Sequence, residues 1–263
     1  MSPDHAEPVR LERDGPLAVV SFDSPPVNLF DGALEAGLVA ALVSIESDPA
    51  RAVLFRADGR VVSGGVDVSV FDAMSGPREA QETFDRLIAL SHQVEALPCP
   101  VVFAAHALCL TWAFELALAC DILLAAESAS FGLVERVIGL TPAMGGTQRL
   151  AERAGTGRAK EFVMEGRPFG ARELERWNVV NRVLPDEGFD EAARAYAHAL
   201  AEGPTRAHAA TREILQAYVR DGVAGADALT PAIAGALFAT DDLQGAVASF
   251  LRDGPGRASF DGR

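Results

Sequence analysis

Lysine is all but missing from this chain. Lys160 is the only one among 263 residues, so its cationic side chains are otherwise arginines. A mechanism through a lysine Schiff base would have a single candidate. Cysteine is scarce as well. Cys99, Cys109 and Cys120 lie too far apart for a CxxC metal or redox pair, and the odd count makes no disulfide framework. Each sits among apolar neighbours and reads as a small core residue. His5, His92, His106, His198 and His208 form no HExxH and no close pair, so no metal site is expected, and His106 reads as structural.

Other absences narrow the function. Positive charge is short: 23 basic residues against 37 acidic ones leave a net charge of −14. Such a surface repels nucleic acid and anionic membranes, and no basic run offsets it. No stretch of about 18 uninterrupted apolar residues appears, which gives no membrane span. The N-terminal MSPDHAEPVRLERD lacks the basic-then-apolar layout of a secretory signal, so a cytoplasmic protein is expected. Gly155-Thr156-Gly157-Arg158-Ala159-Lys160 has the wrong order for a phosphate-binding GxxxxGK[ST] loop. No GxGxxG follows a strand, and GxSxG is absent.

What the chain does have is apolar bulk, 49% of its residues, with a mean hydropathy of +0.15 that suits a packed globular protein. Its first two thirds alternate two patterns. LAVVSF (17–22), AVLF (52–55), VVFAA (101–105) and DILLAA (121–126) are short unbroken apolar runs, as in buried strands. Leu34, Leu38, Leu42 and Ile45 mark a helix begun at the N-cap Asp31. Phe84, Leu87, Ile88, Ser91 and Val94 mark another, stopped by Pro98-Cys99-Pro100. Alternating strands and helices predict an α/β core, drawn at 1–200, although the strand signal fades after about residue 150. An Ala-rich helical region over 201–263 follows, with breaks at Gly203-Pro204 and Gly254-Pro255. Its segments are too short and Ala-rich for a core of their own, so they are expected to pack on the first part or on another subunit.

Two strand-to-loop passages could carry chemistry. After 52–55 the chain runs through Gly64-Gly65 into Val66-Asp67, where adjacent glycines let backbone N–H groups turn toward a ligand. After VVFAA a loop leads into an apolar helix at Trp112, whose first N–H groups lack partners. The two sets of donors could converge on one oxyanion, or be two ordinary turns. Glu115 lies among Trp112, Phe114, Leu116 and Leu118. Lost hydration would raise its pKa toward values useful for proton transfer, unless an arginine neutralises it. Glu135 could divide acid and base roles with it, or be a solvated loop edge.

PPVNLF (25–30), VVSGGVD (61–67), FELALACDI (114–122), FGLVERVIGLTPAMGGTQRL (131–150) and GRPFGARELERWNVVNRVLP (166–185) together resemble the crotonase superfamily of enoyl-CoA hydratases and isomerases. The resemblance extends to the C-terminal FLRDGPGRASFDGR, and PxxGGTQRL is its most specific element. It implies a crotonase-like spiral of ββα units with a helical C-terminal trimerisation region, as a homotrimer or a hexamer made of two trimers. It implies an acyl-CoA substrate and no separate cofactor, since coenzyme A enters as part of the substrate. The matching oxyanion-hole amides are those of Val66 and Trp112, and the matching acids are Glu115 and Glu135. Asn28, Ser63, Gly64, Gly65, Asp67 and Gly139 fall at substrate and coenzyme A positions, and Phe260 where the adenine is covered. Arg56, Arg60, Arg252 and Arg257 are candidates for its phosphates.

Keeping both acids favours hydration of a trans-2-enoyl-CoA to a 3-hydroxyacyl-CoA. One feature departs from the pattern. Typical hydratases have Asn-Gly and then three consecutive glycines before the acidic helix, where this chain has His106-Ala107 and Thr111-Trp112-Ala113. A backbone N–H survives at Trp112, but its side chain needs a place and the backbone has fewer conformations open to it. Isomerisation, decarboxylation or carbon–carbon bond formation, or a weakly catalytic acyl-CoA-binding protein, therefore stand as alternatives.

Overall fold

A computed structural model describes residues 7–263; residues 1–6, with His5 and the start of the N-terminal stretch, lie outside the described residues. The chain opens with the hairpin β1 (Val9–Asp14) and β2 (Leu17–Phe22), then α1 (Gly32–Ser47), β3 (Ala52–Ala57), the single turn α2 (Ser69–Asp72) and α3 (Pro77–Ala96). Next come β4 (Val101–Ala105), β5 (Cys109–Leu110), α4 (Trp112–Ala119), β6 (Ile122–Ala126), β7 (Ser130–Gly132) and a 3-10 turn at Glu135–Ile138. The rest is α5 (Gly146–Ala154), α6 (Thr156–Glu165), β8 (Phe169–Gly170), α7 (Ala171–Arg176), β9 (Arg182–Leu184), α8 (Phe189–Ala201), α9 (Thr205–Ala236) and α10 (Asp241–Asp253).

Six strands form the main sheet in the order β1-β2-β3-β4-β6-β9, parallel throughout except for the β1–β2 hairpin. Its central strands are the unbroken apolar runs; all six residues of β2 are buried, as a strand covered on both faces requires. The edge strand β1, VRLERD, is mostly polar and escapes a search for apolar runs. Its charges suit an edge, where they discourage pairing with another chain. A smaller sheet, β5-β7-β8, stands beside α4. Asp31 caps α1 by accepting from the Leu34 N–H at 2.8 Å, as its position predicts. Cys99, Cys109 and Cys120 are free and buried.

The α/β core is as expected except that strands continue past residue 150, as β8 and as β9 at the edge of the main sheet, too short to show as apolar runs, and the C-terminal region is helical. α8 packs on β2, β3 and β4 and ends at Ala201. Beyond it α9 is tied back to the core by Arg212, which bonds Asp121 at 2.8 Å and the Leu97 carbonyl, and by Gln216, which donates to the Glu95 carbonyl. Gly222, at φ 71° and ψ −173°, splits α9 in two, a break that a lone glycine in a helical pattern signals only weakly. The stretch Thr205–Ala239 is long and apolar enough, by composition alone, to cross a membrane, and it is largely exposed.

Candidate active site

Loops from the carboxyl ends of β2, β3, β4 and β6 meet at one end of the sheet, where parallel sheets form their clefts. There they enclose a cavity of about 300 Å³ whose wall includes Val66, Trp112, Glu115 and Glu135 together. Phe30, Val70, Phe71, Phe84, Leu87 and Met144 make much of it apolar.

Glu115 sits on α4, all eight residues of which are buried. No arginine bonds it: Arg149, whose charge only weakly favours its ionised form, is engaged by both oxygens of Glu95 at 2.6 and 2.7 Å. Instead its Oε2 accepts the backbone N–H groups of Met144 at 2.9 Å and Gly146 at 2.7 Å. Gly146 opens α5, so unpaired donors at a helix start are directed at a carboxylate. The approach requires glycine: a Cβ on Gly146 would lie 2.6 Å from the Glu115 Cγ. Burial raises the Glu115 pKa from 4.5 to about 7, against the opposing pull of these N–H bonds. Met144 and Gly146 seat this candidate acid, and sequence reasoning missed them, although the PAMGGTQRL motif was their signal.

Glu135 opens the 3-10 turn and is buried, yet neither of its carboxylate oxygens has a partner among the described residues. Burial, and then the neighbouring Glu115 charge, raise its pKa to about 7 as well. It is no solvated loop edge.

The loops bearing Val66 and Trp112 are stitched together. Val62 and Ser63 donate to the Leu108 carbonyl at 2.9 and 3.1 Å, and Leu110 donates to the Ser63 carbonyl at 3.1 Å. Phe30 bonds the residues on either side of Val66, donating to the Gly65 carbonyl and accepting from the Asp67 N–H, which turns the Val66 N–H the other way. Gly65 makes the bend at φ 118°, a conformation that favours glycine. No acceptor for the Val66 or Trp112 N–H is found among the described residues.

A family model described as enoyl-CoA hydratase/isomerase matches residues 12–257. The chain belongs to that family. It is 30% identical to a "Probable enoyl-CoA hydratase" of Bacillus subtilis (strain 168) over 92% of this chain and 95% of the relative. A carnitinyl-CoA dehydratase of Salmonella heidelberg (strain SL476) is 32% identical over 83% of this chain and 88% of its own. The crystal structure of an enoyl-CoA hydratase from Bacillus anthracis superposes with a TM-score of 0.90 at 25% identity, covering 97% of this chain and all of that one. The fold is therefore the crotonase fold.

For a member of the enoyl-CoA hydratase/isomerase family, the other matched positions are distributed unevenly. Asn28, Ser63, Gly64, Gly65, Asp67 and Gly139 are not part of the cavity wall. The Asn28 amide is taken up by the Ser24 N–H and by carbonyls of Asp58, Val61 and Val62. The Ser63 hydroxyl bonds Asn28 and Gly65, and a Cβ on Gly64 would press on Val27 at 3.0 Å. Asp67 accepts the Ser69 N–H of α2, and Gly139 closes the 3-10 turn in the left-handed region. Phe260 is not brought to this cavity: it lies in an apolar groove with Ala207, Leu237 and Leu243, in a tail whose Asp261 and Gly262 N–H groups are held by Asp242. Arg56 is engaged by Asp58 and Asp190, and Arg252 by Asp253, while Arg60 and Arg257 are exposed. His106 bonds the Gly59 carbonyl at 3.1 Å, and no metal-binding cluster occurs among the described residues.

Proposed function

We propose that this enzyme hydrates a trans-2-enoyl-CoA thioester, with Glu115 and Glu135 as its acid/base pair and the Val66 and Trp112 amides as its oxyanion hole. The observation that carries it is the meeting of all four groups at one largely apolar cavity, with both carboxyl groups raised to about 7. Near neutral pH such a pair holds about one proton between its two members. The two N–H donors on Glu115 favour its charged form, and that charge in turn favours a neutral Glu135. Ionised Glu115 takes a proton from water as the water oxygen bonds the β-carbon. Electron density moves onto the thioester oxygen, where two backbone donors hold the enolate. Neutral Glu135 then gives its proton to the α-carbon. The same atoms run backwards as a dehydration of the 3-hydroxyacyl thioester.

The Trp112 indole does not favour a different enolate chemistry. It is 2% exposed and packs against Phe22 and Phe30, at 5.0 and 5.5 Å between ring centroids, so it leaves the cavity open. Exposed Tyr218, Val219, Val223, Phe250 and Leu251 on the C-terminal helices support self-assembly through this region, as a homotrimer or a hexamer made of two trimers. The test is loss of the conjugated enoyl-thioester absorbance of crotonyl-CoA or a bulkier enoyl-CoA, with mass spectrometry showing addition of one water. Glu135→Gln is expected to lower kcat by roughly 10³-fold. Full activity in that variant, or products without added water, would overturn the assignment.

A further inference from the structure

The Thr111-Trp112 step does more than preserve a donor. The Asn28 carbonyl accepts two bonds, one from the Trp112 Nε1–H at 3.3 Å and one from the Ser63 hydroxyl at 3.0 Å. That hydroxyl oxygen accepts the N–H of Gly65, the residue before Val66, at 3.0 Å. A line of bonds thus runs from the side chain of one donor residue to the backbone beside the other. A second line is packing: the indole lies on Phe30, whose backbone bonds both flanks of Val66. Thr111, meanwhile, has φ 49° and ψ −118°, and its buried hydroxyl has no partner among the described residues. A β-branched residue is strained at positive φ, and such a conformation persists where its surroundings over-determine it.

We infer that Trp112 is a positioning residue as well as a backbone donor: its indole N–H, through the Asn28 carbonyl, holds the Val66 and Trp112 amides in register. The strut fixes a Thr-Trp backbone that would otherwise relax out of the shape needed at the thioester oxygen. The assignment rests on the proposed oxyanion hole, but the strut itself can be measured without any reaction.

Trp112→Phe keeps a ring against Phe22 and Phe30 and keeps the backbone N–H, removing the indole N–H. In the substrate-free protein, hydrogen exchange over residues 63–67 and 109–113 is expected to speed up several-fold. In turnover of crotonyl-CoA, kcat should fall about tenfold, with KM within about twofold, because a displaced donor costs less than the roughly 10²-fold or more of a deleted one. The enolate absorbance of bound acetoacetyl-CoA should fall in parallel. Thr111→Gly, close to neutral in the wild type, should recover part of the lost kcat in the Trp112→Phe background, because a glycine at φ 49° no longer strains the backbone that the strut holds. Unchanged exchange in Trp112→Phe, or equal effects of Thr111→Gly in both backgrounds, would overturn the strut. If exchange responds while the wild type neither hydrates crotonyl-CoA nor forms the enolate, the strut stands and the hydratase reading falls.

Discussion

α4 and the turn at Glu135–Ile138 face the same cavity, yet all eight residues of α4 are buried while Val137 and Ile138 stand 75% and 49% exposed beside Glu135. Each wall offers one carboxyl group with a pKa raised to about 7. The means differ. Glu115 is desolvated but fixed by two backbone donors, so its ionised form has a prepared seat. Glu135 is desolvated, repelled by Glu115 and without partners for its oxygens among the described residues, so its neutral form is favoured. One pKa shift can thus accompany two roles, and the hydrogen bonds tell them apart.

The largest expected effect probes the packing of the inner wall. Phe114→Ala removes a fully buried ring set against Phe131 and Phe162 at 5.1 and 5.5 Å, which should cost about 3–5 kcal/mol in denaturant-unfolding free energy. A cost under about 1 kcal/mol would mean that α4 is not the rigid side. Next is the seat of Glu115. Gly146→Ala drives a Cβ into the Glu115 side chain, and kcat should drop about 100-fold, since misplacement of a catalytic group by about 1 Å has that order of effect. Near-normal turnover would detach Glu115 from the chemistry.

A smaller effect contrasts the two acids directly. Both pKa values are raised from 4.5, so between about pH 4.5 and 7 the folded chain binds more protons than the unfolded one. The stabilising contribution is therefore complete below about 4.5 and is lost as pH rises to about 7. Glu135→Gln removes an unpartnered charge and should stabilise the protein at pH 8 by about 1–2 kcal/mol, with little change at pH 4.5. Glu115→Gln also removes a buried charge but gives up charge-assisted bonds to Met144 and Gly146, so its gain should be the smaller of the two. Equal gains from both variants would erase the distinction between the walls. The smallest effect belongs to the outer surface: Val137→Ser should move unfolding free energy by less than about 0.5 kcal/mol. A larger loss would mean that another chain covers this turn.

Much of this was legible because burial writes itself in simple patterns. β2 and β4 match LAVVSF and VVFAA to the residue, and the Leu34-Leu38-Leu42-Ile45 stripe is the buried face of α1. β1 escaped because a polar edge strand has no apolar run, and the bend at Gly222 because a glycine inside a helical pattern is a faint mark. Glu115 stood out as an acid inside an apolar helix and Glu135 as a second acid after the next strand, while the assignment of Val66 and Trp112 within their strand-to-loop passages came from the family resemblance. The seat at Met144 and Gly146 was not found, since the PAMGGTQRL motif marks these positions but nothing along the chain ties them to an acid 29 and 31 residues away.

By itself the sequence determined the α/β core, the family and two candidate acids, since these depend on periodicity and on motifs short enough to read along the chain. Only the tertiary structure decided what surrounds them: that α5 seats Glu115, that Glu135 is left unpartnered, and that the Trp112 indole turns inward to Asn28 rather than filling the cavity. Hydration loss and hydrogen-bond partnership depend on groups distant in the chain but adjacent in space. They come into being only when the loops at the strand ends close around one cavity.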